Sequence, residues 1–237
     1  MENNRTVLVT GAAKRIGRVI ALQLYQAGYR VAIHYGSSEK EARALAEECG
    51  SAPIFQANLE KVDDIHRLFR EVEQRVGSLY GLVNNAARFR KVDPLQLTEA
   101  DWDFIHNVNL KATFFCCQQG ALLMKKSGAG RIVNISSLGG IRPWEMYAHY
   151  CASKAGVIML TRALAKAFAP EISVNSVAPG VILASEQDPR AQDLIAVTPA
   201  KRSGTPEEIA DAVLYFINAS NFVTGQVLAV DGGLSQR

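Results

Sequence analysis

The sequence predicts one doubly wound α/β domain, a parallel sheet of seven strands with helices on both faces. Three observations predict it. Short β-branched runs alternate with longer segments of helical apolar spacing. No linker, repeat or composition break interrupts the 237 residues. Hydrophobic residues make up 48% and charged residues 21%, enough apolar material for a large core in a soluble chain.

Taken in order, the strand-like runs are Thr6–Thr10, Arg30–Tyr35, Pro53–Gln56, Tyr80–Asn84, Arg131–Ser136, Ile172–Val177 and Gln226–Val230. The helical segments between them are Arg15–Ala27, Glu39–Glu48, Val62–Val76, Glu99–Lys125, Tyr150–Ala169 and Pro206–Asn218. Helices of that length between strands imply right-handed crossovers and hence a parallel sheet. Gly28 stands where the first helix should stop, while Ser38-x-x-Glu41 and Thr205-Pro206-x-Glu208 read as helix starts.

Composition excludes several classes. The 26 basic and 23 acidic residues give a net charge of +3, too balanced for a nucleic-acid or membrane-surface protein. Cys49, Cys116, Cys117 and Cys151 form no CxxC pair and no metal-ligand spacing, so they read as small hydrophobes in a reducing compartment. His34, His66, His106 and His149 lack ligand spacing too, and His149 reads as packed or pocket-lining beside Tyr150. The start, Met1-Glu2-Asn3-Asn4-Arg5, runs straight into a strand, and no apolar run approaches the ~18 residues of a membrane span. A cytoplasmic address is the expectation.

The first turn is built for a dinucleotide. Between strand one and helix one lies Gly11-Ala12-Ala13-Lys14-Arg15-Ile16-Gly17. Gly11 permits a tight turn, the small alanines let backbone approach a ligand, and Gly17 allows close helix–sheet packing. The helix N-terminus offers free N–H groups and a positive dipole end to a pyrophosphate. NAD-binding sheets end strand two with an acid for the ribose 2′-hydroxyl. Here that strand ends Ile33-His34-Tyr35-Gly36-Ser37-Ser38, and the first acid is Glu39 in the next helix. Lys14 and Arg15 with the Ser37 and Ser38 hydroxyls favour a 2′-phosphate, so NADP(H) is the expected cofactor.

The chemistry is expected between residues 134 and 180. Tyr150 and Lys154 stand four apart at a helix start and so share a face. A tyrosine titrating near ~10 is a weak acid at neutral pH, and a neighbouring ammonium is expected to lower that value. Ser137 ends a strand thirteen residues before Tyr150, where a loop can return its hydroxyl to the substrate oxygen.

Together Thr10-Gly11-x-x-x-Arg15-x-Gly17, Asn84-Asn85-Ala86-Ala87, Asn109, Ser137, Tyr150-x-x-x-Lys154, Pro179-Gly180 and Asp231-Gly232-Gly233 resemble the short-chain dehydrogenases/reductases along essentially the whole chain. The resemblance implies a Rossmann-type domain over residues 1–237 that reduces a carbonyl by hydride transfer. It makes Tyr150 the general acid, Lys154 its tuner and a ribose contact, Ser137 the carbonyl-positioning group and Asn109 part of a water-linked proton relay. Cofactor contacts would come from Gly11, Lys14, Arg15, Ile16, Gly17, Tyr35, Ser37, Ser38, Asn58, Leu59, Asn85, Ala86, Tyr150, Lys154, Pro179 and Gly180. Two positions depart from the family pattern. Arg15 replaces a glycine of the turn, and Asn58 replaces an adenine-contacting aspartate, whose bond its amide oxygen can still accept.

Within the family the chain looks most like the pteridine reductase group. The turn Gly11–Arg18, Ile33-His34-Tyr35, Asn84–Phe89, Ala178–Leu183 and Phe222–Gly225 carry that likeness. In such a site Phe89 and the nicotinamide would sandwich a flat bicycle, with Arg15 donating to its polar edge. Ser137 stands where that group has an aspartate, whereas reductases of the 3-oxoacyl-carrier-protein type have serine. Carbonyl reduction is therefore the reading and pterin reduction its alternative. A silent NADP(H)-binding sensor is a third, opposed by the intact Tyr150–Lys154 pair. The family also implies a homotetramer, with Phe114, Phe115, Val157, Met159 and Leu160 on its long helices as interface or core. Substrate contacts are expected from the loop between Gly180 and about Arg202.

Overall fold

Residues along each strand alternate between two apolar layers, and that alternation builds the core. The computed structural model describes residues 5–182 and 191–236. Its strands are β1 (Thr6–Val9), β2 (Arg30–Tyr35), β3 (Ile54–Gln56), β4 (Gly81–Asn84), β5 (Gly130–Ile135), β6 (Ile172–Pro179) and β7 (Val227–Val230). All pair in parallel, in the order β3-β2-β1-β4-β5-β6-β7. Val7, Val9, Val83 and Val133 point to one face, with Ile20, Leu24, Val213 and Phe216. Leu8, Leu82 and Ile132 point to the other, with Leu68, Phe69, Cys117 and Leu164. The two-residue period of a strand thus feeds two cores from one sheet.

The covering helices are α1 (Arg15–Gln26), α2 (Glu39–Glu48), α3 (Val62–Val76), α4 (Glu99–His106), α5 (Ala112–Lys125), α6 (Ala148–Phe168), α7 (Ala191–Val197) and α8 (Pro206–Asn218). The single helix expected over Glu99–Lys125 is instead two, joined by a π-helical turn at Asn107–Lys111. No glycine or proline marks that turn; the buried Asn109 within it makes the tertiary bonds described below. The Thr205 capping box forms as the spacing implied. Ser38 does precede α2, yet its side chain caps nothing, and the Glu41 side chain pairs with Lys14 at 2.7 Å. The expected substrate loop contains α7, which the sequence reading did not anticipate; its residues 183–190 lie outside the described residues, as do Met1–Asn4.

Chain order reverses between β1 and β4, and a crevice opens at the carboxyl ends of those strands. Among the described residues no helix is long and apolar enough to cross a membrane.

Candidate active site

A cleft of about 780 Å³ lies over that reversal point. Its lining includes Gly11, Lys14, Arg15, Ile16, Gly17, Ser37, Ser38, Asn58, Leu59, Asn85 and Ala86, eleven of the residues expected to hold the cofactor. Tyr35 lies outside this lining, packed into the core at 8% exposure. Tyr150, Lys154, Pro179 and Gly180 belong to the adjoining strand ends and α6.

The turn is close-packed. A Cβ on Gly17 would stand 2.3 Å from the Gly11 carbonyl oxygen, and Gly11 itself has φ +61, open only to glycine at little cost. Asn85 Nδ2 donates to the carbonyls of Thr10 and Gly11, both at 3.0 Å, which ties the end of β4 to the turn. Arg15 has φ 52, the left-handed conformation that explains why glycine is usual at this place. Its exposed guanidinium has no ion-pair partner among the described residues, whereas Lys14 is engaged by Glu41 at the surface. Asn58 lines the cleft, but its amide oxygen accepts from the Glu60 N–H at 3.1 Å.

His34 is a cleft residue that pattern reading passed over. It is buried at the end of β2, where its Nδ1 accepts from the Gly11 N–H at 3.1 Å and its Nε2 donates to the Ala57 carbonyl at 3.2 Å. Burial lowers its pKa to about 4, so the ring is neutral, as both bonds require. A histidine in an otherwise apolar strand facing a glycine turn is the one signal that could have found it. Arg88, Glu60 and Val108 also line the cleft without having been expected there.

The four expected chemical groups come from three places: Ser137 from the loop after β5, Tyr150 and Lys154 from α6, and Asn109 from the π turn. Ser137 follows β5, and its Oγ accepts from the Gly139 N–H at 3.0 Å. Tyr150 and Lys154 lie one turn apart on α6, with the lysine Nζ 5.9 Å from the tyrosine ring centre. Lys154 is buried, its Nζ donates to the Ile135 carbonyl at 2.8 Å, and burial lowers its pKa to about 8. Burial also raises Tyr150 to about 12, while the Ser137 hydroxyl alongside pulls the other way. This reverses the expected lowering by Lys154: removal of the phenolate from water dominates, while the lysine Nζ stands 5.9 Å from the ring centre and donates to the Ile135 carbonyl.

Asn109 sits in the π turn. Its amide oxygen accepts from the Arg88 N–H at 2.7 Å, and its Nδ2 donates to the Arg88 carbonyl at 3.0 Å and to Ser153 Oγ at 3.2 Å. Asn109 therefore fastens the loop after β4 to α6. That loop carries Phe89, which meets the Tyr150 ring edge-on at 4.7 Å between centroids. His149, next to Tyr150, is sealed from solvent, and among the described residues neither ring nitrogen has a hydrogen-bond partner. It is a packed residue near Asp101 and Arg90 rather than a lining one. All four cysteines are free, and among the described residues no group of three metal-ligating side chains gathers.

Residues 11–235 match the family described as enoyl-(acyl carrier protein) reductase. The 3-oxoacyl-[acyl-carrier-protein] reductase FabG of Staphylococcus aureus (strain N315) is 36% identical over 244 residues, covering 99% of this chain and 99% of that protein. The 3-oxoacyl-[acyl-carrier-protein] reductase of Synechocystis sp. is 34% identical over 238 residues, covering 97% and 96%. Nodulation protein G of Rhizobium sp. (strain N33) is 37% identical over 238 residues, covering 98% and 97%. Sheet order, glycine turn and the Ser137–Tyr150–Lys154 grouping agree with these matches: the chain is an oxidoreductase of the short-chain dehydrogenase/reductase family, built to use a nicotinamide cofactor.

Proposed function

We propose that the chain, as one domain over residues 1–237, is an NADPH-dependent reductase of a small carbonyl compound, a ketone of the 3-oxoacyl type, and that it works as a homotetramer. The observation that carries this reading is Tyr150, placed with the Ser137 hydroxyl alongside and Lys154 one turn on, beside the dinucleotide cleft. The cleft fits NADPH. Gly11, Arg15, Gly17, Ser37 and Ser38 line it together, and the exposed Arg15 guanidinium, which has no ion-pair partner among the described residues, is the cation offered to a 2′-phosphate. When bound, the reduced nicotinamide supplies a hydride to the carbonyl carbon.

The protein's own groups do the rest. Ser137 donates to the carbonyl oxygen and fixes its position. Tyr150, held protonated by burial, delivers its phenolic proton to that oxygen as negative charge develops there, so the ketone becomes a secondary alcohol. Lys154 stays close enough to restore charge balance and to hold the ribose. Asn109 holds the substrate-side loop, with its side chain committed to Arg88 and Ser153. Pterin reduction is not carried forward: a serine hydroxyl is a poor proton donor to a ring nitrogen, and two of the three relatives named above are 3-oxoacyl-[acyl-carrier-protein] reductases.

The test is steady-state reduction of an acetoacetyl thioester with each cofactor. Turnover with NADPH and a preference over NADH are expected. Tighter or equal use of NADH removes the cofactor assignment, and NADPH binding without turnover of any carbonyl removes the enzymatic one.

A further inference from the structure

Rings wall the substrate side of Tyr150. Trp144 lies nearly parallel to it, at 8° and 6.0 Å between centroids, and Phe89 meets it edge-on at 85°. Phe89 also stacks on Tyr147 at 4.6 Å and 12°. Gly139 makes the closeness possible, since a Cβ there would stand 3.2 Å from Trp144 and 3.3 Å from Tyr150. The backbone holds the two halves of the wall together: the Val92 N–H donates to the Met146 carbonyl at 3.0 Å, joining the Phe89 loop to the Trp144–Tyr147 segment.

This wall is mostly aromatic carbon. Arg88 pairs with Glu60, Arg90 pairs with Asp101 at 2.8 Å, and Arg142 donates to the Leu234 carbonyl at 2.8 Å, so the nearby guanidinium groups are committed. Phe89 nevertheless leaves 53% of its surface in water at the mouth of the site. A half-exposed ring over the reacting tyrosine gains most from a flat apolar partner laid against it. A flexible acyl chain uses neither the planarity nor the edge-to-face geometry.

We propose that Phe89, Trp144 and Tyr147 form a subsite for a flat aromatic ring, so that the preferred substrate is a ketone carrying an aryl group next to the carbonyl. The inference rests on the carbonyl-reductase reading above and narrows its substrate class. Trp144 and Tyr147 play no part in the family resemblance, so their share of the subsite would be this chain's own.

The experiment compares ethyl benzoylacetate with ethyl acetoacetate, which differ only in phenyl against methyl at the reacting ketone, using the whole chain and NADPH. The expected kcat/KM ratio favours the aryl ester on the order of tenfold. Phe89→Leu and Trp144→Leu keep apolar bulk and lose the ring, so each should bring the ratio towards unity, while Phe89→Tyr should keep it. A wild-type ratio near one overturns the proposal, as does a ratio that survives both leucine variants. If neither ester nor an acetoacetyl thioester is reduced, the carbonyl reading falls and binding decides the subsite. In Trp102→Phe protein with NADPH, 2-naphthoate should quench the remaining Trp144 fluorescence saturably. Absence of that quenching overturns the aromatic subsite independently of turnover.

Discussion

The Gly11 N–H donates to Nδ1 of His34 at 3.1 Å, so a buried imidazole 23 residues away in sequence sets the position of the dinucleotide turn. The same histidine's carbonyl accepts from Ala12 at 3.0 Å, and its Nε2 holds the backbone at Ala57. Three backbone segments around one cleft are thereby tied to a single residue.

Folding and protonation of His34 are coupled. Its folded pKa of about 4 lies below the ordinary 6.5, so between those values the unfolded chain binds a proton that the folded chain refuses. The stabilisation is present above the unfolded value and is lost as pH falls through the folded one, about 3 kcal/mol in all. His34→Asn keeps an acceptor near Gly11 and cannot titrate. Denaturant unfolding of both proteins across pH should show wild type losing that extra stability between about pH 6.5 and 4. Parallel profiles for the two proteins would mean that the imidazole stays unprotonated in both states or does not bear on folding.

Burial at the site gives a second pH signature. Tyr150, pushed up to about 12, remains a phenol throughout the neutral range, the form that reduction needs. Lys154, pushed down to about 8, loses its ammonium just above neutrality. Reduction should therefore hold level below about pH 8 and decline above it, whereas oxidation of the product alcohol, which needs the phenolate, should climb. Tyr150→Phe should leave NADPH binding within about twofold and lower kcat by two or more orders of magnitude. Lys154→Ala should weaken both. Near-normal turnover by Tyr150→Phe would reassign the acid.

Much of this was readable in the chain because the relevant physics is local. Strand and helix periods, the Thr205 capping box and the Gly11–Gly17 turn depend on residues close in sequence, and they stand where expected. What escaped depends on tertiary bonds. The break at Asn107–Lys111 arises where Asn109 grips Arg88 and Ser153, 21 and 44 residues away. The rise in the Tyr150 pKa follows from how deeply α6 and the Phe89 loop bury it, which no Tyr-x-x-x-Lys spacing encodes. His34 looked like one more strand residue until the turn was folded against it.

Arg15 allows strain and recognition to be separated. A non-glycine residue at φ 52 costs roughly 1–2 kcal/mol, part of which glycine would return to the more flexible unfolded chain. Arg15→Gly should thus leave thermal stability unchanged or raise it by up to about 1 kcal/mol. The same change removes a cation that lines the cleft with Ser37 and Ser38 and has no ion-pair partner among the described residues, so NADPH affinity should fall on the order of tenfold while NADH affinity stays put. Calorimetric titration with both cofactors separates the effects. Equal losses for NADH and NADPH would move the 2′-phosphate contact away from Arg15.

Assembly can be tested on two faces at once. On α5 and α6, Phe114, Leu122 and Met159 are 37%, 53% and 60% exposed, and neighbouring Val157 is buried within the subunit. Elsewhere, Tyr215 on α8, Phe222 in the turn after α8, and Leu228 on the edge strand β7 are 55%, 99% and 40% exposed. Two separated apolar faces suit a tetramer with dihedral symmetry, in which each two-fold axis buries one self-complementary patch. An uncovered edge strand bearing leucine would otherwise invite unspecific pairing. Light scattering should give four times the 25.8 kDa chain mass at about micromolar concentration. A charge placed in one patch should halve the assembly without unfolding the subunit, so Met159→Glu and Leu228→Glu should each yield dimers and the double variant monomers. A monomeric wild type overturns the tetramer. Dissociation by only one of the two variants would mean that the other patch takes no part in the assembly.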